Sequence, residues 1–270
     1  MQVGAAPAAL DVGGDVALQA VSLTIEAGGR TLVRELSFAL PCGRMLCILG
    51  ENGAGKTLTL HALAGQRAPA AGHVRLAGRG LADWTRRERA RRLGLLPQAT
   101  EDPFPVTVLD AVLVGRHPHL DFFAWEGPAD LAVARASLAA CDLAGFESRG
   151  VDTLSGGERR RVALAAVLAQ DPDVLLLDEP QNHLDPHHQR DVLELLRARV
   201  GGGSRRTVIA TLHDPTLALR YADDVLLLYG DGRWRYGTPA EVLSAPTLSE
   251  LYRMPMGEIE AAGRRVFYAL

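Results

Sequence analysis

Aromatic residues are scarce in this chain, 5% of its 270 positions, so any core must be assembled chiefly from Leu, Val and Ala. Cysteine is scarce too. The three present, Cys42, Cys47 and Cys141, form no CxxC pair and are odd in number, which argues against a disulfide framework and against a cysteine-rich metal site. They are expected as reduced thiols that pack like small hydrophobes. Excess charge of one sign is missing as well. A net charge of -3 and a pI near 6.2 give no global basic footprint for a phosphate backbone, so nucleic acid is not the expected partner. No apolar run approaches the ~20 residues of a membrane helix, and Val174 to Leu177 or Val225 to Leu228 are only strand-sized. If the chain serves a membrane, other chains must do the spanning. The start, Met1 to Asp15, is rich in Ala and Gly, lacks a basic opening and carries Asp11 and Asp15; residues 1–16 read as a loose tail, not as an export signal.

What remains is ample for one large α/β domain. Leu18 to Ile25 and Leu36 to Leu40 alternate as strands and are broken by Gly28-Gly29 and Pro41. Met45 to Leu49 is an apolar strand that meets a glycine-rich loop and then a helical pattern from Gly55 to Ala64. Val74 to Leu76 reads as a further strand, and Thr85 to Arg92 as a charged helix with a solvated face. From Pro103 to Ala169 the pattern turns to Ala/Leu helices, Ala129 to Leu143 and Gly156 to Ala169 among them, which predicts an inserted helical subdomain over about 101–169. The strands Val174 to Leu177 and Thr207 to Leu212 then flank a helix from Pro186 to Val200, an alternation that predicts a mainly parallel sheet. Capping-box patterns at Thr238 to Glu241 and Thr247 to Glu250 predict that short helices and a tail, 238–270, close a domain running over 17–270.

Gly50-Glu51-Asn52-Gly53-Ala54-Gly55-Lys56-Thr57 fits GxxxxGK[ST] between a strand and a helix. Glycines allow the backbone to turn with its N–H groups facing an anion, Lys56 supplies a charge for β/γ-phosphates, and Thr57 offers a hydroxyl to Mg2+. Asp178 and Glu179 follow the strand Val174 to Leu177, at the edge where a parallel sheet receives ligands. Asp178 can hold Mg2+ and Glu179 can take a proton from attacking water; on its own, Asp-Glu-Pro reads equally as a capped turn. Leu154-Ser155-Gly156-Gly157-Glu158 opens another helix and offers a second anion site. One γ-phosphate does not need two helix starts from one chain.

These segments, with Gln98 after Leu95-Leu96-Pro97, Asn182-His183-Leu184-Asp185 and His213, stand in the order of the motifs of ABC transporter ATPases, and the chain resembles that family from about Leu18 to Leu251. The resemblance implies a P-loop NTPase (RecA-like) α/β core with an antiparallel β subdomain and an inserted helical subdomain, working on ATP with Mg2+. It implies a head-to-tail dimer in which Gly50, Asn52, Gly53, Ala54, Gly55, Lys56, Thr57 and Leu58 of one copy hold the nucleotide, while Ser155, Gly156, Gly157 and Glu158 of the other close over the γ-phosphate. By the same likeness Thr57, Gln98 and Asp178 attend the metal, and Lys56, Gln98, Glu179 and His213 serve catalysis. Asp185 belongs to the loop that couples the two sites. Permease subunits would dock around Gln98 on the cytoplasmic face of the membrane, with an extracytoplasmic binding protein beyond. Leu95 to Gln98, Val114 to Leu120, Leu168 to Asp171 and Asn182 to Gln189 look most like the importers of metal chelates, with cobalamin or a ferric siderophore placed ahead of haem. An exporter ATPase, a nucleotide switch on ribosomes or DNA, and a hydrolysis-dead subunit are the alternatives. Lys56, Asp178, Glu179 and His213 stand against the last.

One departure from the family pattern is chemical. Where an aromatic residue commonly stacks on adenine, alignment puts Ala27, with Arg30 as a cation–π substitute, and weak discrimination of ATP from GTP is expected. Leu58 and Gln181 also replace small residues without removing a catalytic group. His183, His187 and His188 beside Asp185 and Asp191 resemble metal-ligand spacing, but Asp185-Pro186 reads better as a helix cap. His117 and His119 are read as surface residues. Asp121 to Trp125, with Phe122 and Phe123, is either core or a permease contact.

Overall fold

The computed structural model describes residues 15–98, 106–121, 124–201, 203–261 and 263–270. Two long strands, β1 (Val16–Ala27) and β2 (Arg30–Pro41), pair antiparallel across Gly28-Gly29, where both glycines take positive φ. β1 begins at Val16, the last residue of the predicted tail, and the Asp15 carbonyl before it accepts from Cys42 N–H at 2.8 Å. Residues 1–14 of that tail lie outside the described part.

The chain continues through β3 (Met45–Leu49), α1 (Lys56–Leu63), β4 (Ala71–Leu76), β5 (Arg79–Gly80), α2 (Arg86–Arg92) and β6 (Leu93–Leu96). In α2 the Thr85–Glu88 capping box is formed and no residue is buried, as a solvated helix requires. Between β6 and β7 (Val174–Leu177) run α3 (Val108–Leu113), α4 (Pro128–Ala140) and α5 (Gly156–Ala169), which pack on one another. Phe122 and Phe123 lie outside the described residues; their neighbour Trp125 is 89% exposed. Then follow α6 (Pro186–Arg199), β8 (Thr207–Thr211), α7 (Pro215–Tyr221), β9 (Asp224–Leu228) and β10 (Trp234–Gly237).

Two sheets carry the fold. One is antiparallel in the order β2-β1-β4-β5, and the other runs β10-β9-β3-β8-β7-β6 with every pair parallel except the edge strand β10. The second sheet is covered on both faces, which explains its unbroken apolar strands. Met45, Cys47 and Leu49 of β3 face the helices α3 to α7, whereas Leu46 and Ile48 face α1 and the antiparallel sheet; β7 divides likewise into Leu175 and Leu177 against Val174 and Leu176. Each buried leucine contributes about 1.5–3 kcal/mol relative to exposure.

The C-terminal end departs from expectation. Thr238 and Glu241 do form a capping box on α8 (Pro239–Val242), but α9 (Ala245–Tyr252) starts earlier than predicted, because Ser244 caps it through Thr247 N–H and Pro246 sits in its first turn. Thr247 to Glu250 is therefore helix interior. Nor do helices and a tail close the chain: β11 (Met256–Ala261) and β12 (Arg264–Ala269) form an antiparallel hairpin with Gly263 at positive φ between them.

Candidate functional site

Five neighbouring parallel strands, in the order β9-β3-β8-β7-β6, present their carboxyl ends on one edge. The glycine loop leaves β3 there, His213 follows β8, Asp178 and Glu179 follow β7, and Gln98 follows β6. Residues far apart in the chain are thereby gathered by topology alone.

The glycine loop is built against its surroundings. At Gly50 φ is 157°, and a Cβ would come within 2.5 Å of the Leu228 carbonyl oxygen; at Gly55, where φ is 96°, it would press on Leu32 at 3.2 Å. Helix α1 starts at Lys56 with no side-chain cap, leaving its first N–H groups free to meet an anion. The buried Lys56 ammonium donates to the carbonyls of Gly50 at 2.8 Å and Glu51 at 3.1 Å. Burial lowers its pKa, and Glu179 and Asp178 work against that.

Around Glu179 four side chains converge. Its carboxylate accepts from Gln98 Nε2 at 3.1 Å and Asn182 Nδ2 at 2.5 Å on one oxygen, and from His213 Nε2 at 2.6 Å on the other. Its N–H donates to Thr211 Oγ1 at 2.8 Å, and that hydroxyl donates to Asp178 Oδ1 at 2.7 Å. Glu179 holds φ at 49°, a left-handed conformation unusual for a residue with a side chain and typical of functional sites. Asp178 is fully buried, and its Oδ2 has no hydrogen-bond partner among the described residues. An unpaired carboxylate oxygen beside a phosphate loop, with the Thr57 hydroxyl on the same cleft, suits a hard divalent cation.

The cleft encloses about 660 Å³, within the range of small-ligand sites. Its walls bring together Asn52, Gly53, Gly55, Lys56, Thr57, Leu58, Gln98, Glu179 and His213, while Gly50 and Ala54 of the same loop are buried and off the wall.

The ABC transporter family model matches residues 33–182, more than half of the chain. A further model, for an AAA domain, matches residues 145–220. The hemin import ATP-binding protein HmuV of Streptomyces coelicolor is 41% identical over 90% of this chain and 85% of its own length. This chain belongs to the ABC transporter ATP-binding proteins. The petrobactin import ATP-binding protein FpuD of Bacillus anthracis is 34% identical over 88% of this chain and 87% of its own. Among solved structures, an inward-facing ABC transporter provisionally assigned to metal chelates superposes with a TM-score of 0.81 at 29% identity, covering 95% of this chain and 98% of that one. The chain is accordingly an ATPase coupled to transport, with the P-loop NTPase fold of ABC ATPases.

In this ABC ATPase the start of α5 is not part of the cleft wall. Ser155 caps the helix, its Oγ accepting from Glu158 N–H at 3.2 Å while Glu158 Oε2 accepts from Ser155 N–H at 2.7 Å, and the latter bond lowers the Glu158 pKa. Gly156 faces open space: a Cβ there would meet nothing within 4 Å, and its φ is not positive. Asp185 caps α6 and accepts from His188 N–H at 3.0 Å, which lowers its pKa, and from His188 Nδ1 at 2.9 Å. Of the neighbouring histidines, His188 makes this cap and His187 pairs with Asp191 at 3.0 Å. Among the described residues no helix is long and apolar enough to cross a membrane.

Sequence reasoning missed several participants. Leu32 and Asn182 line the cleft, and Thr211 joins the backbone of Glu179 to Asp178. Arg160 lies beneath Gln98 and Glu179. Tyr252 OH donates to the His213 carbonyl at 3.1 Å, and Arg253 pairs with Glu51 at 3.3 Å, so the end of α9 touches two loops of the site. Only Asn182 stood inside a recognised motif; the others depend on contacts across the fold.

Ala27 lines the cleft as aligned, but Arg30 does not; Leu32 takes the neighbouring wall instead. Aliphatic walls offer dispersion to any purine and no stacking, which is worth about 1–3 kcal/mol per base where an aromatic supplies it. ATP and GTP are expected to compete within roughly tenfold of each other. A nucleotide-competition titration checks this, and a preference for ATP well above a hundredfold would contradict it.

Proposed function

We propose that this chain hydrolyses ATP in sites completed by a second copy packed head to tail, and that the cycle drives import of an iron chelate through a separate permease. The observation that carries the dimer is Gly156. Among the described residues nothing would meet a side chain there, so its own chain sets no need for a glycine. Space kept clear at a helix start, away from the chain's own phosphate loop, suits a phosphate brought by another copy.

In that reading the glycine loop and the α1 start bind the phosphates, with Lys56 turning from the Gly50 and Glu51 carbonyls to the β/γ-phosphates. Asp178 and Thr57, with Gln98 nearby, would hold Mg2+, which supplies charge neutralisation on the phosphates. Glu179, already hydrogen-bonded to Gln98 and His213, accepts the proton of attacking water, and His213 swings to the γ-phosphate. Ser155 and Gly157 of the second copy donate to that phosphate, and Asp185 links the two sites.

The transported compound never touches this subunit, so its identity rests on the relatives. They favour haem first and a ferric siderophore second, which reverses the order drawn from sequence patterns; cobalamin finds no support among the relatives named above. The subunit would sit on the cytoplasmic face of the membrane beneath its permease, with an extracytoplasmic binding protein delivering the chelate. Deleting the gene in its own host is expected to abolish growth on haem as sole iron source, with rescue by the wild-type chain and not by Lys56→Ala. Retained growth on haem together with loss of cobalamin uptake would overturn the assignment.

A further inference from the structure

Arg160 is 5% exposed and stands on α5, five residues after the Ser155 cap. A buried arginine usually meets a carboxylate; this one meets main chain. Its Nη1 donates to the carbonyls of Pro97 at 2.6 Å and Gln98 at 3.2 Å, and its Nη2 to those of Asp178 and of Glu179, the latter at 3.0 Å. Nε has no partner among the described residues. The planar fork thus reaches four carbonyls in two loops, one following β6 and the other following β7. These are the loops whose side chains meet in the Gln98–Glu179 hydrogen bond. Among the described residues the charge has no contacting counter-ion; the Asp178 and Glu179 carboxylates offset its burial through space.

We propose that Arg160 is a positioning residue for ATP hydrolysis, holding the backbone on either side of the cleft floor so that the side chains of Gln98 and Glu179 stay in register. It touches no reacting atom and acts through those two. Glutamine at 160 can satisfy fewer carbonyls and carries no charge. Lysine keeps the charge, but its single nitrogen cannot span both loops as the fork does.

The test is steady-state ATPase of the full chain carrying Arg160→Lys or Arg160→Gln, alone and combined with Gln98→Ala, together with melting temperature and affinity for a fluorescent ATP analogue. Both single variants are expected to lose at least tenfold in kcat while KM and analogue affinity stay within about twofold, with lysine no better than threefold above glutamine. Adding Arg160→Lys to Gln98→Ala should lower kcat by less than threefold further, because the two act on one unit. A folded, ATP-binding Arg160→Lys chain with wild-type kcat would overturn the proposal. So would effects of Arg160→Lys and Gln98→Ala that multiply independently, or a fall in analogue affinity matching the fall in kcat. Should Arg160→Gln not fold, the lysine variant and its double mutant decide the matter.

Discussion

Glu179→Gln is expected to leave ATP bound and unhydrolysed: kcat falls by about 10²–10⁴-fold, the range contributed by a positioned general base, while KM changes little. The reason lies in the geometry. Glutamine keeps the volume of Glu179; its oxygen can still accept from Gln98 and Asn182, and its amide nitrogen then faces His213 Nε2, which accepts when the ring proton sits on Nδ1, so the cleft should persist. What it loses is the capacity to take a proton, a function used only in the transition state. Phosphate release under multiple turnover, beside equilibrium binding of ATP, measures both quantities. Undiminished turnover would remove Glu179 from the role proposed for it.

Gly156→Asp is expected to silence turnover by roughly 10²–10³-fold, the size of effect seen when stabilisation of transition-state charge is lost, because its carboxylate repels an approaching γ-phosphate, without destabilising the chain. Its Cβ meets nothing within 4 Å, and a carboxylate in the first turn of α5 is favourable for the helix. The melting temperature should therefore stay level or rise, and ATP binding to the isolated chain should be unchanged. The damage would arise only where a γ-phosphate from another copy approaches this helix start. Equal loss of stability and of activity would instead assign Gly156 to the fold.

Local patterns made much of this legible. The apolar runs of β3, β7, β8 and β9 were readable because a strand buried on both faces has no alternation to obscure it, and α5 was readable because Ser155 and Glu158 cap it in sequence as in space. The phosphate loop and the Asp178-Glu179 pair were readable from spacing. The chain end was not: Thr247 to Glu250 has the residues of a capping box, but Ser244 and Pro246 begin the helix a turn earlier, and the hairpin after it reaches the core through Phe267 with Met256 packed against it. Arg160, Leu32, Thr211 and Tyr252 could not be read either. Their partners lie across the sheet or in another segment, and nothing in their own neighbourhoods announces that. The substrate lies further off still, because no residue of this chain is proposed to meet it.

The account turns on ATP sites shared between two copies, and light scattering on Glu179→Gln tests that most directly. Without nucleotide the mass should be that of one 28.9 kDa chain; with ATP and Mg2+ it should double, with two nucleotides retained per pair, and adding Gly156→Asp should return it to a single chain. A mass that stays at one chain with ATP bound, or a pair indifferent to Gly156→Asp, would contradict the account.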